Sequence, residues 1–319
     1  MFGLSRCQTF LLLPPALISA VLLFVGGPGP DSLRSVRHAW VSGHLVCFAL
    51  WGSLYLSWRG NLPIRRLLVE VVLLSFLVGG MTELLQSLVG REPSWRDVFN
   101  DVLGGLLAVL FFAPGRHQLV APLRHVAQFV LLLVVVWSLI PFSRALADDL
   151  ISRHQFPLLS GFETPFEQTR WGGKSRRYID EETVYQGRKA LQVELVAGWY
   201  PGVFLNFFPA DWRGYAALQM YVHHPLPEPL ELHLRIHDRH HRVADNLHSD
   251  RFNAPVVLNQ GWNRIRVALA EVAKAPRERE LDLRRVAGVG LFAVSLEAPQ
   301  MIAIDEVRLL GYEELLLSD

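Results

Sequence analysis

The chain has 319 residues, 51% of them hydrophobic, and a mean hydropathy of +0.24, which leaves room for two domains and is more apolar than a soluble protein requires. A net charge of +1 excludes a protein-wide field that would draw in nucleic acid. Both cysteines, Cys7 and Cys47, lie in the apolar first half, so the charge-rich, balanced second half needs no disulfide.

The apolar excess falls into segments with the lengths of membrane spans. Phe10 to Val25, behind a short leader with Arg6, is the first. Pro14-Pro15 kinks it, and Gly26-Gly27-Pro28 follows as a loop with no clean small-x-small cleavage site, so it reads as a span rather than a removed signal peptide. The second runs from about Ala39 to Trp58. His44, Phe48 and Gly52 recur every four residues along one of its faces, while Trp51, Tyr55 and Trp58 read as lipid-facing or interfacial. The third covers Ile64 to Leu88, with Glu70 paired to Arg66 one turn earlier. The fourth covers Val98 to Pro114, and the fifth Val126 to Ile140, ending at Pro141.

The stretch Met81 to Gly105 joins the third and fourth segments and is unusually polar. Glu83 and Gln86 share one helix face, and Asp97, Asn100, Asp101 and Gly104 share another; Gly90, Pro93 and Ser94 supply the turn of a helical hairpin. Arg6, Arg59, Arg65, Arg66, Arg116 and Arg124 fall on one side of the spans, and Arg34, Arg37, Arg91, Arg96 and Arg144 on the other. That narrow margin favours a cytoplasmic N-terminus and an external C-terminal half. His38, His44, Glu83, Gln86, Asp97, Asn100 and Asp101 then gather at the outer leaflet. Ionisable groups beside lipid are costly and mark a functional site, or they cap helices and hold the bundle by interhelical hydrogen bonds; both readings stand.

The residues Glu83, Gln86, Arg91, Ser94, Asp97, Asn100 and Gly104 form the series Glu-x-x-Gln, Arg, Ser, Asp, Asn-x-x-x-Gly. In that order and spacing roughly the first 145 residues resemble the VanZ-like membrane proteins, named after a glycopeptide (teicoplanin) resistance protein. His44, Phe48 and Gly52 are also similar to that family's His, aromatic and Gly positions, whereas Trp40 and Val41 stand where the family has an Asp-Lys pair. The resemblance implies a multi-pass protein of the bacterial cytoplasmic (inner) membrane with a role in envelope or antibiotic-resistance biology, and no particular reaction. The candidate membrane pocket is His44, Glu83, Gln86, Arg91, Asp97 and Asn100, with Arg91 as the contact for a phosphate or carboxylate.

Residues 146–157 are polar and mixed and read as a juxtamembrane linker after a membrane domain of residues 1–145. From 158 to 319 the pattern changes to short alternating runs split by turn residues, such as Ala190 to Leu195, Ala217 to Val222, Leu230 to Ile236 and Met301 to Leu309. This predicts an all-β antiparallel sandwich, with Leu269 to Ala273 and Leu283 to Val286 as helical turns. Gly161-Phe162-Glu163, Asp211-Trp212-Arg213-Gly214-Tyr215, Gly261-Trp262-Asn263 and Ile304-Asp305-Glu306-Val307 resemble the jelly-roll, galactose-binding-like domains of carbohydrate-binding modules. That resemblance implies an extracytoplasmic (periplasmic) glycan-recognition domain. It also implies a structural Ca²⁺ on Glu163 and Asp305, whose hard oxygens suit that ion; the plain alternative is a sheet-end pair of acids. No other cofactor is expected.

Trp199 and Tyr200, flanked by Gly198, Pro201 and Gly202, read as loop aromatics for sugar stacking, while Trp171, Trp212, Tyr215, Tyr221 and Trp262 read mostly as core. His233 and His237 share a strand face with Glu231 and Arg235 and read as a solvated outer surface. No Gly-x-Ser-x-Gly, P-loop or His-Glu-x-x-His motif occurs. The expected partners are the bilayer and a glycan or lipid-linked cell-wall precursor, with no nucleic acid. The alternatives are a non-catalytic anchor carrying an interaction domain, and an intramembrane enzyme using Asp97 or Glu83 as general acid/base.

Overall fold

The computed structural model describes residues 6–24, 27–29, 32–88, 93–243 and 247–317; Gly90 and Arg91 lie outside them. The chain divides into two compact units, Met1–Leu146 and Ala147–Asp319.

The first unit is helical: α1 (Arg6–Phe24), α2 (Arg34–Arg59), α3 (Ile64–Leu88), α4 (Trp95–Leu107) and α5 (Ala121–Gln155). By length and composition 3 of these, α2, α3 and α5, are long and apolar enough to cross a membrane, and α1 carries a shorter apolar stretch, Phe10–Leu23. The segment expected as a fourth span is α4, 13 residues of α-helix, which runs on into a π-helical turn, Ala108–Phe112. Val126, Phe129, Leu133 and Val136 on α5 and Leu73, Leu77 and Leu84 on α3 are exposed.

Two sequence expectations change here. Pro141 does not end the fifth segment, because α5 continues through it to Gln155. A proline removes one intrahelical donor and crowds the preceding turn, yet an apolar helix can run on through it. Around Pro141, Arg96 Nη2 donates to Ser138 O (3.2 Å) and Ser143 Oγ to Leu139 O (3.2 Å). The expected linker is therefore the last turns of α5, and from Ala147 it belongs to the second unit. Trp51 is also not lipid-facing: its Nε1 donates to Ala16 O and Ser19 Oγ (3.1 and 3.2 Å), which fastens α2 to α1.

Small residues let α2, α3 and α4 approach closely, as they do in membrane bundles generally. A Cβ on Gly104 would strike the backbone of Leu45 and Ala49, and one on Gly105 would strike Ser75 and Val71. Beneath this crossing Leu56, Leu67, Val71, Ala108 and Val109 form an apolar core. At one end of the bundle Ile64 N–H donates to Gln118 Oε1 (2.9 Å), and Glu70 accepts from Tyr55, Arg59 and Arg66 (2.6, 3.2 and 2.8 Å). The start of α2, the end of α3 and the start of α4 meet at the other end.

The second unit is a β-sandwich. Its strands are β1 (Leu158–Ser160), β2 (Trp171–Gly172), β3 (Arg176–Asp180), β4 (Ala190–Leu195), β5 (Gly198–Trp199), β6 (Gly202–Leu205), β7 (Ala217–His224), β8 (Leu230–Asp238), β9 (Phe252–Leu258), β10 (Gly261–Ala268), β11 (Val286–Phe292), β12 (Ser295–Leu296) and β13 (Gln300–Leu310). Short helices α6 (Arg239–Val243), α7 (Leu269–Lys274) and α8 (Tyr312–Leu317) accompany them. Leu283 opens a turn that leads into β11, not a helix. One antiparallel sheet has the order β10-β7-β13-β4-β3, with β1 on β13; the other has β2-β6-β11-β8-β9. Alternating residues of both sheets, among them Val193, Ile304, Leu205, Val289, Leu234 and Ile236, join Phe162, Trp171 and Trp212 in one core.

Candidate functional site

Three helices of the first unit deliver charged groups to one point. His44 of α2 is buried; its Nδ1 lies 3.0 Å from Asp101 Oδ1 of α4, and its Nε2 lies 3.9 Å from Asp97 Oδ2 on the preceding turn of α4. Glu83 of α3 closes the cluster: one atom each from His44, Glu83 and Asp97 lie within 4.8 Å of one another. Glu83 Oε2 accepts the Ser94 N–H (2.7 Å) at the start of α4, so the side chain also ties the α3–α4 turn. Asp101 packs into the space that a side chain on Gly79 would fill, which explains why α3 carries glycine there.

The other expected pocket residues hold the frame. Gln86 Nε2 donates to Leu23 O (2.7 Å) and secures the end of α1, while Asn100 Nδ2 donates to Val41 O (3.3 Å) and secures α2. Gln86 thus turns toward α1, not into the His44 cluster. Arg91 lies outside the described residues. Asp101, expected on the same polar face as Asp97 and Asn100 but not among the candidate pocket residues, belongs to the site. Its place one turn after Asp97 was visible, but its bond to a histidine 57 positions away was not.

Two clefts border this region. A groove of about 450 Å³ between α3 and α4 is lined by Phe76, Leu77, Met81, Leu84, Trp95 and Val98, with Glu83 as its acidic group. A second of about 620 Å³, between α4 and α5, places Arg96 and Arg144 among Trp95, Phe99 and Trp137.

On the sandwich, the register explains a second surface. Phe204, Gly290 and Arg235 lie in one row across β6, β11 and β8, and Gly202, Phe292 and His233 in the next. Because strand residues alternate, these point away from the core that their neighbours Val203, Leu291 and Leu234 enter. Glycine at 290 leaves space that the Phe204 ring occupies. The His233 ring stacks on Phe292 (5.7 Å), Phe292 on Phe204 (6.4 Å), and the Arg235 guanidinium lies 6.0 Å from the Phe204 centroid. Tyr200, in the left-handed region at φ 54°, comes within 6.2 Å of Phe292, and Trp199 within 6.3 Å of Tyr200. Trp199 and Tyr200 are 71% and 58% exposed, so the two expected aromatics form the outer edge of a longer aromatic run. The sequence missed Phe204 and Phe292. Their alternation with apolar neighbours was legible, but their meeting across three strands was not.

The histidine face is less solvated than expected. His224, His237 and His241 are buried, and His241 Nδ1 lies 3.4 Å from Asp250 Oδ2. Trp171 and Trp212 are core, whereas Tyr221 stacks on Tyr185 (3.6 Å) beside Trp262.

Glu163 and Asp305 act on one loop. Asp305 Oδ2 accepts the N–H groups of Tyr185 and Gln186 (3.0 and 3.1 Å), and Glu163 Oε1 those of Arg188 and Lys189 (2.7 and 3.0 Å). Asp305 Oδ1 accepts the Glu306 N–H (2.8 Å). The bulge in β13 at this point, with Glu306 at φ 48°, turns the Asp305 carboxylate toward the loop. Burial pushes the carboxyls of Asp305 and Glu306 above their ordinary range.

No family model matches the chain, and no curated protein matches it. Solved structures match over the sandwich. A family 11 carbohydrate-binding module from Clostridium thermocellum, in complex with a beta-1,3-1,4-mixed-linked tetrasaccharide, has 12% identity and a TM-score of 0.37 over 48% of this chain and 94% of the module. A family 30 carbohydrate-binding module of a Clostridium thermocellum cellulosomal cellulase has 14% identity and a TM-score of 0.33 over 45% and 91%. An exo-beta-agarase has 16% identity and a TM-score of 0.39 over 48% of this chain and 24% of the enzyme.

Proposed function

We propose that this is a multi-pass membrane protein of a bacterial envelope that handles a glycan carried on a lipid, with the helical unit working at the polar end of that molecule and the sandwich recognising sugar. The observation that carries the reading is the convergence of His44, Glu83, Asp97 and Asp101 inside an apolar bundle. Burying such groups costs several kcal/mol per uncompensated charge on the order of magnitude known for proteins, and an anchor has no need of them. Asp101 holds His44 through Nδ1, which leaves Nε2 on the side of Asp97, with Glu83 close by. The hydrocarbon-lined groove at Glu83 suits a lipid chain.

The order of Glu83, Gln86, Arg91, Ser94, Asp97, Asn100 and Gly104 supports a VanZ-like role, in glycopeptide resistance or surface-polysaccharide handling. The arginine distribution supports an external sandwich. There the run Trp199, Tyr200, Phe292 and Phe204 offers ring faces for the C–H face of a sugar, and His233 and Arg235 offer hydrogen bonds to its hydroxyls. A structural Ca²⁺ at Glu163 and Asp305 belongs to the same reading. One oxygen of each carboxylate is taken by the 185–189 loop, so the ion would draw further oxygens from backbone carbonyls. A chelator that lowers the Tm of the sandwich, reversed by Ca²⁺ alone, is the supporting result.

The main test expresses the full chain in a glycopeptide-sensitive bacterium and compares susceptibility and surface glycan with Glu83→Gln and Asp97→Asn. Loss of the phenotype at normal membrane abundance supports the site. An unchanged phenotype supports the anchor reading instead. On a glycan array, Tyr200→Ala and Phe292→Ala should each weaken binding about 2- to 10-fold, the worth of a ring contact of ~0.5–1.5 kcal/mol. A wild-type chain that binds no sugar removes the recognition role.

A further inference from the structure

We infer that His44, Glu83 and Asp97 hold a divalent transition-metal ion of the zinc type. The inference stands apart from the glycan reading, since an ion can be bound whatever the bundle acts on. Its first support is geometric. The three candidate ligand atoms come from α2, α3 and α4 and lie within 4.8 Å of one another. His44 Nε2 and Asp97 Oδ2 are 3.9 Å apart, too far for a hydrogen bond. An ion with bonds of ~2.0–2.2 Å sets its ligands about 3.4 Å apart, so the site closes on it by roughly an ångström.

The second support is that the groups are poised as ligands. With its Nδ1 committed to Asp101, His44 directs the Nε2 lone pair at carboxylate oxygens. Glu83 is 4% exposed, and its Oε1 is buried with no hydrogen-bond partner among the described residues, while Oε2 is fixed by Ser94. A buried carboxylate oxygen left without a donor is costly, and a metal bond removes that cost. Asp101, fully buried and seated over Gly79, makes the contact that orients a metal-binding imidazole from behind.

The donor set selects the ion. One imidazole and two carboxylates suit Zn²⁺ and its neighbours Mn²⁺ and Fe²⁺, whereas Ca²⁺ and Mg²⁺ prefer oxygen alone and Cu⁺ prefers sulfur. Three protein ligands leave a position open for an oxygen of a substrate, the pattern of a catalytic zinc centre and not of a structural one. Glu83 also lines the α3–α4 groove.

The test uses the untagged full chain in detergent, stripped with a chelator, dialysed against Zn²⁺ or Co²⁺ and assayed for metal content. The wild type should retain about one ion per chain, show the ligand-field absorption of low-coordinate Co²⁺, and gain Tm with Zn²⁺. His44→Gln, Glu83→Gln and Asp97→Asn should each lower affinity at least ~100-fold and abolish the Tm gain, whereas Asp101→Asn should lower affinity about 10- to 100-fold yet keep the stoichiometry. His240→Gln, on the sandwich, should change nothing. If Glu83→Gln fails to fold, Asp97→Asn, at the least buried of the three positions, decides by its Co²⁺ spectrum. A folded wild type that retains no ion, or retention unchanged in the three ligand variants, overturns the inference. Neither result touches sugar binding by the sandwich.

Discussion

Arg170 is fully buried and uses Nε and Nη2 on Asp148 (2.9 and 2.8 Å), Nη1 on Leu159 O (2.8 Å) and Nη2 again on Gln155 Oε1 (3.3 Å). Removing its counter-ion leaves a charge in the interior. Asp148→Ala should therefore destabilise the sandwich by about 3–5 kcal/mol, read as a lower denaturant midpoint in the full chain. A second cationic clamp sets the acid response. Arg279 bonds Asp250 Oδ1 (2.6 Å) and Asp238 Oδ1 (2.9 Å). It holds the Asp250 carboxyl below its ordinary range; for Asp238 burial pushes upward, but Arg279 and the N–H groups of Asp282 and His241 outweigh it. Both folded values are lowered, so the stabilisation is complete above the unfolded value of about 4 and is lost as pH falls through the folded values. Thermal melts of the sandwich should drop on acidification below about pH 4, and Arg279→Met should flatten that slope. Asp305 and Glu306, raised by burial, act in the opposite sense and partly offset it. None of these pairs was legible in the sequence, where Asp148 belongs to a polar run and Arg170 lies 22 residues further on.

At the scale of elements, glycines decide whether α2, α3 and α4 can deliver their polar groups to one place. A side chain at Gly79 would displace the Asp101 carboxylate, and one at Gly104 would push α4 off the backbone of α2. Gly79→Val should cost about 1–3 kcal/mol by overpacking and weaken Zn²⁺ retention, because Asp101 no longer steadies His44. A Tm series in detergent with metal analysis reads both. Gly80, one residue on, has nothing within 4 Å of an added Cβ, so Gly80→Ala should leave both unchanged. The His44, Phe48 and Gly52 repeat was visible as one helix face, and Gly52 does meet Ala108 and Gly105. Pro141 misled because a proline takes one bond out of the helical ladder without having to end the helix, and α5 continues through it.

At the scale of the molecule, the packing of α2, α3 and α4 puts the His44 cluster at one end of the bundle and Glu70 with Gln118 at the other. If the bundle spans a bilayer with its N-terminus in the cytoplasm, reporter fusions at Gly60 should read cytoplasmic, and fusions at Gly90 and after Leu317 external. A cytoplasmic signal at Gly90 would remove the outer-leaflet placement of the site while leaving its internal geometry intact.

The division between sequence and structure follows the range of the forces involved. Long apolar helices, a β-sandwich after residue 158, the polar face of α4 and the Arg66–Glu70 pair were readable from the chain alone, because periodicity and one-turn spacing are local properties. The bond between His44 and Asp101, the aromatic rows of Phe204 and Phe292, and the burial of His237 and His241 were decided only by tertiary structure. These depend on helix crossings set by glycine and on strand register, through which residues far apart in sequence become neighbours.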